Sequence, residues 1–426
     1  MQDEGKKAAI LDAVDAAFDD QVEFTRDLVR FPSQRGQEHT AQDFMYEAMR
    51  KRGLTMDRWT IDIDAIRDHP GFSPVSISYD NVWNVVGTHR PKETTGRSLI
   101  LNGHIDVVPA GPLDMWTSPP YDPKVENGWL YGRGSGDMKA GLGAMVYAYD
   151  ALKAAGLEPA APVYFQSVTE EECTGNGALA CLRRGYHADA ALIPEPTGDA
   201  LTRANVGVLW FQVEVRGRPA HVARANTGAN AIVATYRIIE ALQALENKWN
   251  AAKADHRHFE DVEKPININV GKIAGGDWAS SVPAWCKIDV RAAIYPGVKV
   301  ADAQAEIEAC VAKAAHDDPY LSNHPPTVTY NGFTSEGYRL DEGGEAEQVL
   351  HAAHEQVYAA ALESRTATAY LEARVFVLYD DTPALVYGPV SEHVHGFDER
   401  VNLESVRHVT KSIALFMADW CGTAPA

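Results

Sequence analysis

The sequence contains no run of eighteen apolar residues, which excludes a helix able to cross a membrane. Positive charge is in short supply: 39 Lys and Arg stand against 59 Asp and Glu, a formal net charge of −20. A surface of that sign repels phosphate backbones and anionic lipid, so neither nucleic acid nor membrane is expected as a partner. Cysteine is scarce as well. Cys173, Cys181, Cys286, Cys310 and Cys421 are odd in number and show no CxxC spacing. That argues against a disulfide framework or a zinc knuckle and fits free thiols in a reducing compartment. The first residues, MQDEGKKAAILDAVDAAF, lack the apolar stretch of a secretory signal, so cytoplasmic residence is the default expectation. No internal repeat or low-complexity segment is present. The glycines around Gly132-Arg-Gly-Ser-Gly-Asp137 fit neither GxGxxG nor GxxxxGK[ST], nor the GxSxG of a nucleophile elbow at Ser135.

What is present is an ordinary globular composition, 45% apolar and 23% charged, over 426 residues, a length that favours two domains. Helical spacing predicts one or two helices over 7–29, another over 40–52 and a long one ending at 155, before Gly156. Apolar runs predict strands at 84–89, 99–105, 162–168, 188–193 and 384–387, and a loop over 66–81. This alternation indicates an α/β domain whose mostly parallel sheet is flanked by helices. Between 205 and 335 the texture changes. Strands are expected at 206–216, 266–273, 285–294 and 327–330, with helices at 228–247 and 300–315. Their order, β-α-β-β-α-β, suits an antiparallel sheet carrying two helices. The expected division is a discontinuous catalytic domain, 1–204 with 336–426, and an inserted α+β domain, 205–335.

The apolar run at 99–105 delivers His104 and Asp106, two positions apart and therefore on one face of a strand. The imidazole can hold a metal ion while the carboxylate fixes its tautomer, although a plain hydrogen-bonded strand end would look the same. Glu170, Glu171 and Glu172 follow the run at 162–168, where a solvated turn would also read well. Glu195 follows 188–193, and His395 follows 384–387. Asp137 opens a helix, where a simple N-cap needs no other role. Open α/β sheets place their sites beyond the carboxyl ends of strands, which is where these residues fall. The N/O donor set suits Zn, Mn or Co. Five ligands exceed the three of a one-ion catalytic site but suit two ions sharing a carboxylate, which can hold a hydroxide and polarise a carbonyl. Glu171 and Glu172 could then supply one ligand and one general base, for hydrolysis of an amide-type bond.

Five motifs occur in order: Gly103-His-Ile-Asp106, Gly132-Arg-Gly-Ser-Gly-Asp-Met-Lys139, Glu171-Glu172 with Gly175 and Gly177, Glu195-Pro-Thr197, and His395-Gly-Phe-Asp-Glu399. With these the chain resembles the M20 family of metallopeptidases and deacylases, the group of acetylornithine deacetylase, succinyl-diaminopimelate desuccinylase, aminoacylase-1 and carboxypeptidase G2. The resemblance implies two zinc ions, for which Co2+ or Mn2+ can substitute, held by His104, Asp137, Glu172, Glu195 and His395. It puts His104 and Glu195 on separate ions bridged by Asp137, makes Glu171 the general base and has Asp106 orient His104. His395 is the ligand rather than His393, by the HxxDE spacing. The peptide after Asp137 is expected to be cis.

The same resemblance makes the insertion a lid domain. Its Gly217-Arg-Pro-Ala-His221 motif supplies a histidine that stabilises the oxyanion, reaching across a lid-mediated homodimer. Arg291 is placed as the binder of a substrate carboxylate. Where relatives carry GG-x-x-N-x-x-P, this chain has Gly275-Gly-Asp-Trp-Ala-Ser-Ser-Val-Pro283, which puts Trp278 and Ser281 at the substrate-facing position. The implied activity is removal of an N-acyl group from a small-molecule substrate, an amino acid or related amine. A carboxypeptidase or dipeptidase, and a deformylase of an N-formyl aminopyrimidine, are the alternatives. A silent binding protein on the same fold would lack the base or the bridging ligand, and Glu171 and Asp137 are both present.

Overall fold

A computed structural model describes residues 2–426, with side chains from Glu4 onward. The N-terminal periodicity produces a single helix, Gln2–Val29, which buries Ile10, Val14 and Leu28. It packs with helices Ala140–Ala154, Glu345–Tyr358 and Leu403–Cys421 as one group. Helices Asn176–Arg183 and Ala373–Tyr379 form a second, smaller group against the sheet. Helix His39–Lys51 stops before Gly53, whose φ of 82° suits a left-handed helix end. All five cysteines are free, and among the described residues no helix is long and apolar enough to cross a membrane.

The strands that organise the molecule are, in chain order, β1 (Thr55–Thr60), β2 (Trp83–His89), β3 (Leu99–His104), β4 (Val163–Val168), β5 (Ala190–Ile193), β6 (Leu201–Asn205), β7 (Gly207–Arg216), β8 (Ile268–Gly275), β9 (Trp285–Ile294), β10 (Thr327–Ser335), β11 (Tyr338–Arg339), β12 (Ser364–Ala367) and β13 (Ala384–Tyr387). The large sheet has the order β1-β2-β4-β3-β5-β13-β6-β11, with β12 beside β6. Its centre, β4-β3-β5-β13, is parallel, β1 and β2 on one side and β6 and β11 on the other run antiparallel along this order, and β12 pairs parallel to β6. The central strands read as continuous apolar runs because both faces are covered. Leu99, Ile100, Leu101, Phe165, Leu192, Ile193, Leu385 and Val386 are all fully buried, each contributing about 1.5–3 kcal/mol of transfer free energy.

The second sheet is antiparallel in the order β8-β9-β7-β10 and carries helices Ala231–Ala251 and Val300–His316. It has its own core, including Phe211, Val213, Ile238, Ile288 and Ile307. The two sheets join through continuous strands: β6 passes into β7 across Val206, and β10 returns to β11 across Glu336 and Gly337. Gly207 and Gly337 lie backbone to backbone at this junction, with no room for a Cβ on either.

Of the expected loop 66–81, Ile66 ends the short helix Ile63–Ile66 and residues 67–81 are irregular, as the prolines and glycine predict. The loop is nonetheless tied down. Ser73 accepts from Thr334 N–H at 3.1 Å on β10, and its carbonyl accepts from Asn176 Nδ2 at 3.0 Å.

Candidate metal centre

The parallel order β4-β3-β5-β13 sets four carboxyl ends side by side along one edge. His104 ends β3 opposite Val168, the last residue of β4, so Glu170–Glu172 leave the sheet next to the imidazole. Glu195 lies two residues beyond the end of β5, and the chain reaches His395 after β13.

His104 is completely buried, and its Nδ1 lies 2.9 Å from the Asp106 carbonyl oxygen. A carbonyl only accepts, so Nδ1 carries a proton and Nε2 is turned toward the acidic cluster. The expected orienting group was the Asp106 carboxylate. Its Oδ1 is 3.7 Å from Nδ1, and the carboxylate instead accepts the backbone N–H groups of Glu171 at 3.3 Å and Glu172 at 3.1 Å. The side chain of Asp106 therefore fixes the turn that presents the two glutamates, and its backbone fixes the ring.

Asp137 stands between the two histidines. Its Oδ1 is 3.0 Å from His104 Nε2 and its Oδ2 is 3.3 Å from His395 Nε2. Its backbone is extended (φ −117°, ψ 95°), the Asp137–Met138 peptide is cis, and the side chain caps no helix, which removes the N-cap reading. His395 Nε2 is also 3.1 Å from Glu172 Oε1, and His104 Nε2 is 3.6 Å from Glu195 Oε1. His393 is exposed and joins no group of metal-holding geometry.

These contacts define His104–Asp137–Glu195 and Asp137–Glu172–His395, each with ligand atoms within 4.8 Å of one another. A third overlapping group, His104–Glu171–Glu172, brings in the remaining carboxylate. The first two share Asp137. The grouping corrects one expectation: His104 and Glu195 fall in the same group, because β3 and β5 are spatial neighbours.

The donor set fits divalent ions. Four carboxylates and two imidazoles converge, and Glu195 Oε1 is buried with no hydrogen-bond partner. An orphaned buried carboxylate oxygen beside a histidine nitrogen is costly unless a cation lies between them. Protonation shows the same demand for positive charge. Burial pushes Glu195 up to about 7 against the pull of His104. Burial also raises Glu171, opposed by His104 and reinforced by Glu195 and Glu172. Burial disfavours the charged form of His395, but Glu172 and Asp137 outweigh it and lift the ring to about 11.

A residue that carried no assigned role in the sequence holds Asp137 in place. Glu399 Oε1 accepts the N–H groups of Gly136 at 3.0 Å and Asp137 at 3.1 Å, and its Oε2 pairs with Arg133 at 2.5 Å. Arg133 and Glu399 are 2% and 1% exposed, so removing one leaves the other as an uncompensated buried charge. Glu399→Ala is expected to cost about 3–5 kcal/mol in denaturant unfolding of the metal-loaded protein, against a small loss for Glu404→Ala on the surface.

Above the carboxylates lies a cavity of about 900 Å³, bounded on the far side by Trp210, Asn269, Arg291 and Phe333 of the second sheet. Arg291 is opposite Trp210 on β7 and Asn269 on β8, so the three form one row across the sheet. Arg291 thus lines the cavity. Trp278 and Ser281 do not. Trp278 is 74% exposed, and the turn that carries it is closed by a Ser281 N–H to Trp278 carbonyl bond of 3.1 Å. The cavity amide comes from Asn269 instead. His221, paired with Ser281 in an isolated bridge, is exposed and lies outside the cavity.

Residues 100–419 match the family profile "Peptidase family M20/M25/M40". The chain is 28% identical over 407 residues to the N-formyl-4-amino-5-aminomethyl-2-methylpyrimidine deformylase of Halalkalibacterium halodurans, covering 89% of each. It is 33% identical over 217 residues to the succinyl-diaminopimelate desuccinylase of Dechloromonas aromatica, covering 49% of this chain and 55% of that one. The solved structure of the dipeptidase Dug1p from Saccharomyces cerevisiae superposes with a TM-score of 0.78 over 99% of both chains, at 16% identity, a likeness of fold. The profile match covers the sheet edge where the five donors gather, and the chain belongs to peptidase family M20/M25/M40, as a hydrolase of that family.

Proposed function

We propose that the protein is a metal-dependent amidohydrolase that removes an N-acyl group from an amino acid or related amine. The observation that carries this reading is a pair of donor groups sharing Asp137, with Glu171 beside them at the floor of a cavity. His104, Asp137 and Glu195 would hold one divalent ion and Asp137, Glu172 and His395 a second. Zinc suits these donors, and cobalt or manganese can replace it. When bound, the ions polarise the scissile carbonyl and make water nucleophilic at neutral pH.

The remaining work falls to side chains. Glu171 takes the proton of the attacking water and delivers it to the leaving nitrogen. Its burial among carboxylates raises its proton affinity, which suits a base that must later act as an acid. Asp106 keeps Glu171 and Glu172 in position through their backbone N–H groups. Arg291 receives a substrate carboxylate.

Residues 205–335 act as the lid in this reading, and His221 enters the site of a second copy to stabilise the oxyanion. Support for a lid-mediated homodimer comes from the apolar side chains that the inserted segment leaves exposed. There Val222, Val233, Tyr236, Ile273 and Trp278 are exposed, and β8 is an unpaired edge strand.

A hydrolysis panel tests the reaction. N-acetyl, N-succinyl and N-carbamoyl amino acids are expected to be cleaved with release of the free amine. Turnover confined to dipeptides would replace the deacylase reading with a peptidase one. A second reading, deformylation of an N-formyl aminopyrimidine, is favoured by the deformylase relative that aligns over 89% of the chain. Preferential turnover of that formamide would establish it.

A further inference from the structure

The deacylase reading leaves part of the cavity's charge without a purpose. Three arginines line it: Arg35, Arg291 and Arg365. Arg35 is already neutralised, since Glu170 accepts from its Nε at 2.6 Å and its Nη2 at 2.9 Å. The other two are not. Arg291 is half-buried, and its Nη2 donates to the Thr368 carbonyl at 3.3 Å. Arg365 Nη1 donates to the Thr197 carbonyl at 2.9 Å. Neither makes an ion pair with a carboxylate among the described residues. Arg365 is exposed at the cavity mouth, and burial lowers Arg291 to about 10 with no acidic neighbour opposing it.

A guanidinium offers five N–H donors in a planar fork that matches a carboxylate. Each of these two has donors to spare. The cations also come from different sheets. Arg291 belongs to β9 of the inserted sheet, whereas Arg365 belongs to β12, opposite Thr202 of the large sheet. Both converge on one short segment, because Arg291 donates to Thr368, three residues beyond Arg365. The acceptor of Arg365 is two residues beyond the candidate ligand Glu195, so this cationic end of the cavity opens directly onto the carboxylate cluster.

We infer that Arg365 acts with Arg291 as a two-point anchor, and that the substrate carries two carboxylates, one for each guanidinium. Resting on the deacylase reading, this narrows the substrate to an N-acyl compound with a second acid, either an acidic amino acid or a dicarboxylic acyl group. A neutral formamide of an aminopyrimidine would leave both cations unpaired.

The test compares substrates that differ in one carboxylate against its carboxamide, on metal-loaded enzyme. One pair is N-acetyl-L-glutamate and N-acetyl-L-glutamine. The other is N-succinyl-L-alanine and N-succinamoyl-L-alanine. In at least one pair kcat/KM is expected to favour the acid by about ten- to a hundredfold, mostly through KM. Arg365→Gln should collapse that ratio toward one, and Arg365→Lys should keep part of it. A ratio near one in both pairs, or a ratio unmoved by Arg365→Gln, overturns the anchor. Calorimetric titration with glutarate and with glutaramate separates this result from failure of the deacylase reading, because it needs no turnover. If no N-acyl compound is hydrolysed but glutarate binds more tightly in an Arg365-dependent way, the anchor stands and the deacylase reading falls. Turnover without acid preference has the opposite meaning.

Discussion

Glu171→Ala is expected to keep its divalent ions and lose turnover by about 10²–10⁴-fold or more. The separation of these two readouts follows from the geometry. Glu171 lies outside both groups that share Asp137, with its Oε2 4.0 Å from His104 Nε2. Removing it leaves five donors for two ions but no carboxylate to carry the proton between water and leaving nitrogen. Metal content by elemental analysis and kcat on the preferred N-acyl substrate decide the matter together. Near-normal turnover would remove Glu171 from the base role. Loss of one ion would instead make it a ligand, through the third group with His104 and Glu172.

Asp137→Asn is expected to be the most damaging change to metal content. Its two oxygens serve different histidines, so it belongs to both groups, whereas His104 and His395 each belong to one of them. The purified protein should carry about two divalent ions per chain and lose activity to a chelator. His395→Ala should retain one ion, and Asp137→Asn should weaken both, by more than the 10–100-fold that loss of an outer partner costs. Reloading the chelated protein should release protons, because without metal Glu195 is held up at about 7 and His395 at about 11. Full activity in metal-free protein would sink the mechanism.

The strand-end placement of the donors was legible because two signals coincide there. An apolar run of strand length stops, and a His or carboxylate follows within a few residues. Parallel strands between helices then align those ends without further information. The partnership of His104 with Glu195 was not legible, since it depends on β3 lying beside β5 in space rather than on sequence order. The cavity wall was hidden for a related reason. Trp210, Asn269 and Arg291 come from three strands, and only their register shows that they face the same way. Trp278 is a separate case: a motif gives its position along the chain, but its ring is exposed on a turn outside this chain's cavity. Glu170 shows how a loop can be read correctly and still be under-read. Prolines and polar residues identify 66–81 as a loop, yet nothing in them announces that Tyr79 donates to the buried Glu170 at 2.5 Å.

The junction between the sheets has a consequence for how the molecule can be taken apart. Asn205 is opposite Tyr338 on β11, and Val208 is opposite Ser335 on β10, so the excursion 206–337 leaves and rejoins the large sheet at one place. It behaves as a cassette on a two-strand stalk. A tight hairpin turn joining Asn205 to Tyr338 would reseal the sheet edge and leave His104, Asp137, Glu172, Glu195 and His395 on their own scaffold. Such a shortened chain would keep the donor atoms for metal and lose Arg291, Trp210 and Asn269. The ion donors would thereby stay with Arg365 on one piece of polypeptide, while Arg291 would leave with the other.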